Sequence, residues 1–96
     1  MVNIIGAGLA GLSAAISLAK SGIACNLISN FPSERAQSVM AEGGINGALN
    51  TMGEEDNTEN HFEDTVRAGC NIADEAMVRG LTENAPGIIR YLSSIG

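Results

Sequence analysis

Residues 4–11 read Ile4-Ile5-Gly6-Ala7-Gly8-Leu9-Ala10-Gly11. A short apolar run enters Gly-x-Gly-x-x-Gly, and a helix-like apolar pattern leaves it. That order is strand, tight turn and helix N-terminus, the phosphate-binding start of a βαβ unit. Each glycine has its own task. Gly6 allows the sharp turn out of the strand. Gly8 withholds a side chain so that backbone can approach a pyrophosphate. Gly11 lets the helix lie close on the strand. The N–H groups of the first helical turn have no partner within the helix. They point at the ligand, and the helix dipole favours its negative charge.

Working outward, Val2 to Ile5 reads as the first strand and Leu9 to Ser21 as a helix. Leu9, Leu12, Ile16 and Ala19 recur at helical spacing, while Ala10, Ala14, Ala15 and Leu18 fill most other sides. A helix so apolar all round expects burial. Gly22 is a helix stop, and Ile23 to Ile28 is the second strand. Pro32 and its polar neighbours make a loop. Arg35 to Glu42 suits a short helical turn ended by Gly43-Gly44, and Ile45 to Thr51 suits an irregular path. A helix is expected from Thr58, capped by its hydroxyl, to Ala68 before Gly69. Another is expected from Asp74 to about Asn84. Pro86 would then open a last helix ending near Ser94, with Ile88, Ile89 and Leu92 on its buried side.

The fold class is therefore α/β: the N-terminal βαβ portion of a Rossmann-like dinucleotide-binding domain, followed by helices. The chain has 96 residues and only two convincing strands. A two-stranded parallel sheet is normally covered on both faces, and little here could cover it. Residues 1–96 are thus expected to be the N-terminal fragment of a larger domain, with an incomplete fold.

A net charge of −6 argues against nucleic-acid binding through a basic surface. The acidic run from Glu54 to Asp64 lacks the spacing of a calcium loop and reads as a solvated loop and helix face. Cys25 and Cys70 have no metal-like spacing and read as reduced packing residues of an intracellular protein. Leu9 to Ala19 lacks the basic flank of a signal peptide, since the first basic residue, Lys20, follows it. No apolar run is long enough to insert in a membrane.

Which dinucleotide binds is a separate question. An NAD site usually places Asp or Glu at the end of the second strand, roughly 20 residues past the glycines. Ser29 and Asn30 stand there instead, which lowers NAD and leaves FAD. The segment Arg35-Ala36-Gln37-Ser38-Val39-Met40-Ala41-Glu42-Gly43-Gly44-Ile45-Asn46-Gly47-Ala48 decides. It resembles the flavoprotein of the succinate dehydrogenase and fumarate reductase family, whose pattern is Arg-Ser-His-[Ser/Thr]-x-x-Ala-[Gln/Glu]-Gly-Gly, then Ile-Asn-[Ala/Gly]-Ala. The resemblance continues through His61-Phe62-Glu63-Asp64-Thr65-Val66 and Ala85-Pro86, nearly the whole chain.

The resemblance implies that Gly6, Ala7, Gly8, Leu9, Ala10 and Gly11 line the pyrophosphate of FAD. It implies that residues from Ser29 to Gly44 run from the adenosine end to the flavin ring. Arg35, Gln37, Ser38, Ala41, Glu42, Gly43 and Gly44 are the candidates there. Gly43 and Gly44 would bring bare backbone against the isoalloxazine, with a helix stop and turn as their plain role. Ser38 would touch phosphate or flavin, with helix capping as its plain role. Arg35 matches the family arginine, or pairs with Glu34. Many relatives carry a histidine at position 37 that bonds covalently to the flavin. Gln37 cannot form that bond, which implies non-covalent FAD. Glu42 falls where fumarate-reducing relatives often have Glu, and succinate-oxidising ones often have Gln. His61 is expected to cap or pack in its helix rather than to bind flavin or metal.

The family's substrate-clamping histidines and arginines have no counterpart here, so no catalytic residue and no metal ligand is named. The expected whole is an FAD-dependent oxidoreductase acting on a dicarboxylate, biased toward fumarate reduction. An iron–sulfur subunit is an implied partner. The expected location is cytoplasmic, or the cytoplasmic face of a membrane complex, and the 96-residue piece alone is expected to be inactive. Two other readings stand beside it. One is an L-aspartate oxidase-like flavoprotein, which holds FAD without the histidine link. The other is a nucleotide-sensing domain without catalysis, which would want an acid near Ser29 and no Arg35-to-Gly44 motif.

Overall fold

A computed structural model describes residues 1–96. The chain forms two compact units, Met1–Gly44 and Ile45–Gly96.

The first unit is a βαβ turn of chain. Strand β1, Val2–Ile5, and strand β2, Cys25–Ile28, are joined by helix α1, Leu9–Lys20. The strands run parallel, with Val2 opposite Cys25 and Ile5 opposite Ile28. Asn26 Nδ2 donates to Asn3 Oδ1 across the pair at 3.0 Å. This is the expected architecture of a Rossmann-like FAD-binding start. β2 begins two residues later than its apolar pattern suggested, because Ile23 and Ala24 are used in leaving α1. The exit is a Schellman motif. Gly22 has φ +70°. Its N–H donates to Ala19 O, and the Ile23 N–H reaches back to Leu18 O at 2.9 Å.

One expectation fails here. α1 contains no buried residue. Its apolar surround would be covered only if both sheet faces carried further layers, and neither does in this unit. The sheet is similarly bare: Ile5 is 88% and Ile28 51% exposed. Beyond β2 come a 3-10 turn, Ser33–Arg35, and a one-turn helix α2, Gln37–Met40. The expected single helical turn over 35–42 is thus two shorter pieces. Ala36 is extended, with ψ +138°, and separates them.

The second unit is a helix pair, α3 at Thr58–Ala68 and α4 at Glu75–Ser94. α3 starts where expected, but the cap is Asn57 rather than Thr58. Asn57 Oδ1 accepts the Asn60 N–H at 2.8 Å, which satisfies one of the first-turn donors. At the far end, Gly69 keeps an ordinary negative φ of −80°. Cys70 and Asn71 take the left-handed conformation instead, with φ +56° and +58°. Cys70 is therefore an exposed turn residue and not a packing residue, whereas Cys25 is half-buried; both thiols are free.

α4 is a single helix that runs through Pro86, correcting the expected break after Asn84. Proline has no N–H for the Thr82 carbonyl, so one helical bond is forfeited. Burial offsets that loss, for Pro86, Ala85 and Thr82 are the three buried residues of α4. They form the core of this unit with Phe62 and Val66 of α3. Ile88 does not join it, being 51% exposed, and Ile89 and Leu92 are only half-buried. The Arg79 guanidinium lies 3.8 Å from the centre of the Phe62 ring and donates to both oxygens of Glu59, at 2.8 and 3.3 Å. The two helices are thereby tied across 20 residues of chain.

Candidate functional site

The glycine turn is built as its sequence requires. Gly6 has φ +107°, a conformation that L side chains rarely adopt, and its N–H donates to Ile28 O at 2.8 Å. The strand thus hands over to the turn beside the end of β2. A Cβ on Gly11 would run into the Gly6 carbonyl oxygen, so the third glycine sets how closely α1 approaches the turn. Ala7 is 6% exposed and closes the turn from behind. Gly8 is the N-cap of α1. The first bond within the helix is Leu12 N–H to Gly8 O at 3.0 Å. The N–H groups of Leu9, Ala10 and Gly11 thus precede the helical ladder, as an anion cradle requires.

A shallow groove runs along this turn, lined by Ile5, Gly6, Gly8, Leu9, Ala10, Gly11 and Ser38. Five of the six turn residues named from the sequence line it, and Ala7 lies behind. Ser38 is the only distant residue brought to them. Its Oγ accepts the Leu9 N–H at 2.9 Å, across 29 residues of chain. Nothing in the spacing of the sequence announces this bond. The sequence supplied only a hydroxyl at a family position, and its plain role as a cap turns out to concern α1 rather than α2. Ile5 also joins the lining without a sequence signal of its own.

The other candidates are spread along the first unit and not gathered into the groove. Ser29 follows β2 and its Oγ accepts the Phe31 N–H at 3.3 Å, a local turn contact. Arg35 ends the 3-10 turn and is exposed, with no ion pair to Glu34. Gln37 opens α2; Ala41 caps its far end, and Glu42, Gly43 and Gly44 follow, all exposed. Gly44 has φ +79°, so its glycine is required by the backbone. A ring lying along these bare peptides would meet N–H groups and no side chains at 43 and 44. The residues present fit a dinucleotide at the turn and a flat group beyond it.

In the second unit, His61 sits half-buried on α3 and packs there without capping. Its Nδ1 is buried and has no hydrogen-bond partner. The acidic run is tied up in its own loop: Glu54 accepts the Met52 N–H at 2.8 Å, and Asp56 accepts the Asn57 N–H at 2.9 Å. No His, Cys, Asp or Glu residues gather into a group of three that could hold a metal. No helix is long and apolar enough to cross a membrane.

A βαβ unit with this turn, an anion-seeking helix start and a glycine pair at the end of the following segment defines a dinucleotide-binding protein. The chain belongs to the FAD binding domain family, whose description it matches over residues 2–96. Within that family it resembles succinate dehydrogenase and fumarate reductase flavoproteins along its whole length. It is 48% identical over 95 residues to the succinate dehydrogenase flavoprotein of Bacillus subtilis, which covers 99% of this chain and 16% of that protein. It is 40% identical over 96 residues to the fumarate reductase (CoM/CoB) of Methanothermobacter marburgensis, covering 99% of this chain and 18% of the relative. The L-aspartate oxidase of Mesorhizobium japonicum is 38% identical over 93 residues, covering 97% of this chain and 17% of the relative. The chain thus spans about a sixth of the length of the relatives it matches.

Proposed function

We propose that this chain supplies the pyrophosphate cradle and the first flavin-facing segment of an FAD-dependent oxidoreductase that interconverts succinate and fumarate. The observation that carries the reading is the glycine turn with Ser38 seated on it, directly followed by the segment to Gly44. Gly6 to Gly11 bind the diphosphate through the N–H groups at the start of α1. Ser29 lies toward the adenosine. Arg35, Gln37, Ser38, Ala41, Glu42, Gly43 and Gly44 line the way to the flavin, with Gly43 and Gly44 offering backbone to the ring. FAD, when bound, supplies hydride and electron transfer. The residues here bind and orient it, while clamping of a dicarboxylate falls to residues of the whole flavoprotein. An iron–sulfur subunit on the cytoplasmic side of a membrane is the partner this family suggests.

Gln37 leaves FAD non-covalently held, because an amide cannot bond to the flavin methyl. Loss of that substituent makes the flavin harder to reduce. A Glu42 carboxylate near the ring opposes added electron density and acts in the same direction. Together they favour fumarate reduction over succinate oxidation.

The test is made on the full-length flavoprotein. After acid precipitation the yellow colour should stay in the supernatant, and fumarate reduction should outrun succinate oxidation. Colour retained in the pellet contradicts the cofactor claim, and faster succinate oxidation contradicts the direction claim. L-aspartate oxidase is the second reading. It is supported by the 38% identity to such an enzyme and by Gln37. Production of hydrogen peroxide from L-aspartate would decide for it.

A further inference from the structure

We infer that Ser38 is a positioning residue whose hydroxyl holds the place of a phosphate oxygen at the start of α1. It thereby ties the segment around α2 to the glycine turn until a dinucleotide arrives. The inference rests on the reading of the turn as a pyrophosphate cradle.

Three observations converge. The Leu9 N–H, first of the unpaired donors of α1, donates to Ser38 Oγ at 2.9 Å. A Cβ built on Gly8 would fall 2.8 Å from that same oxygen. Gly8 has φ −82° and ψ −171°, which any residue adopts. The backbone therefore does not demand glycine at position 8; the space above it does, and Ser38 Oγ is what fills that space. An oxygen accepting a helix-start N–H over a bare glycine is doing what a phosphate oxygen does in such a turn. Ser38 also stands inside α2, whose turn is closed by the Val39 and Met40 N–H groups donating to Ala36 O at 3.0 Å. One hydrogen bond thus joins the phosphate cradle to the segment that leads to Gly43 and Gly44.

The consequence is an exchange of partners. A pyrophosphate oxygen takes the Leu9 N–H, and the Ser38 hydroxyl turns from acceptor to donor toward that oxygen. No bond other than hydrogen bonds is made or broken, and no proton changes owner. A charged acceptor outcompetes a neutral hydroxyl for an N–H. Seating the phosphate therefore re-seats residues 36–40, and with them the approach to the flavin.

The test uses the ¹⁵N-labelled 96-residue chain and reads amide exchange residue by residue. Without added nucleotide, Ser38→Ala should raise exchange at Leu9, Val39 and Met40 by about fivefold, the worth of one exposed hydrogen bond. Ser38→Thr should restore the original rates. Gly8→Ala reaches the same state from the other side, because its methyl group displaces the hydroxyl. ADP then serves as the diphosphate probe. In the wild-type chain it should shift the amide resonances of Leu9 and of residues 36–40 together. In Ser38→Ala it should shift Leu9 and leave 36–40 unmoved. Unchanged exchange in both Ser38→Ala and Gly8→Ala overturns the tether. Equal ADP shifts at 36–40 in wild type and Ser38→Ala overturn the coupling. If ADP shifts Leu9 in no chain, the cradle reading and the exchange of partners fall together, and the tether is still decided by the exchange rates.

Discussion

At the scale of single residues, the three glycines of the turn are not equivalent. Gly6 is fixed by its positive φ, Gly11 by the carbonyl of Gly6, and Gly8 by the hydroxyl of Ser38. Only at Gly8 is the obstacle the end of a side chain that can turn away. Gly11→Ala should therefore cost about 1–3 kcal/mol of stability, as overpacking against backbone does, while Gly8→Ala should cost little. Urea titrations of the two variants, followed by helical circular dichroism, check this; equal losses would contradict the distinction. The glycines themselves were legible, since their spacing is set by the ligand. The Leu9–Ser38 bond was not, because a contact across 29 residues leaves no periodic trace.

At the scale of elements, the strands and the first crossover followed from apolar runs and stop signals, and the helix ends were where local chemistry competed. Thr58 and Asn57 are both good caps, and Asn57 wins because its Oδ1 reaches the Asn60 N–H. Asn57→Ala should cost about 1 kcal/mol, measured by thermal or urea unfolding; no change would mean that Thr58 takes over the cap. Pro86 misled because a helix-opening residue in sequence is also a tolerable interior residue once its ring is buried, which only packing decides. The α3–α4 pairing has a pH signature. The Arg79 guanidinium hydrogen-bonds the Glu59 carboxylate and holds its pKa below the ordinary value of 4.5. A carboxyl group depressed on folding stabilises fully above its unfolded pKa and loses that contribution as pH falls through the folded value. Stability should thus decline below about pH 4.5, and Arg79→Ala should flatten that part of the profile. An identical acid decline in the variant would show that other carboxylates carry it.

At the scale of the whole molecule, the apolar character of α1 states a demand for burial that these residues do not meet. A sequence shows what a surface wants, whereas coverage depends on what lies against it. With Ile5, Ile28, Met77 and Leu81 all more than half exposed, 96 residues bury little beyond the α3–α4 interior and the back of the glycine turn. The cradle is nevertheless formed within residues 1–44, so phosphate recognition should survive in the chain alone while turnover should not. The direct measurement is a titration of the 96-residue chain with FAD, read by flavin fluorescence, beside the Gly8→Val variant and an assay of fumarate reduction. The wild-type chain should bind FAD weakly and saturably. Gly8→Val should not bind it, since a branched side chain then stands where phosphate must approach, and neither should reduce fumarate. No binding by the wild-type chain, or equal binding by Gly8→Val, would contradict the assignment of the glycine turn to the cofactor.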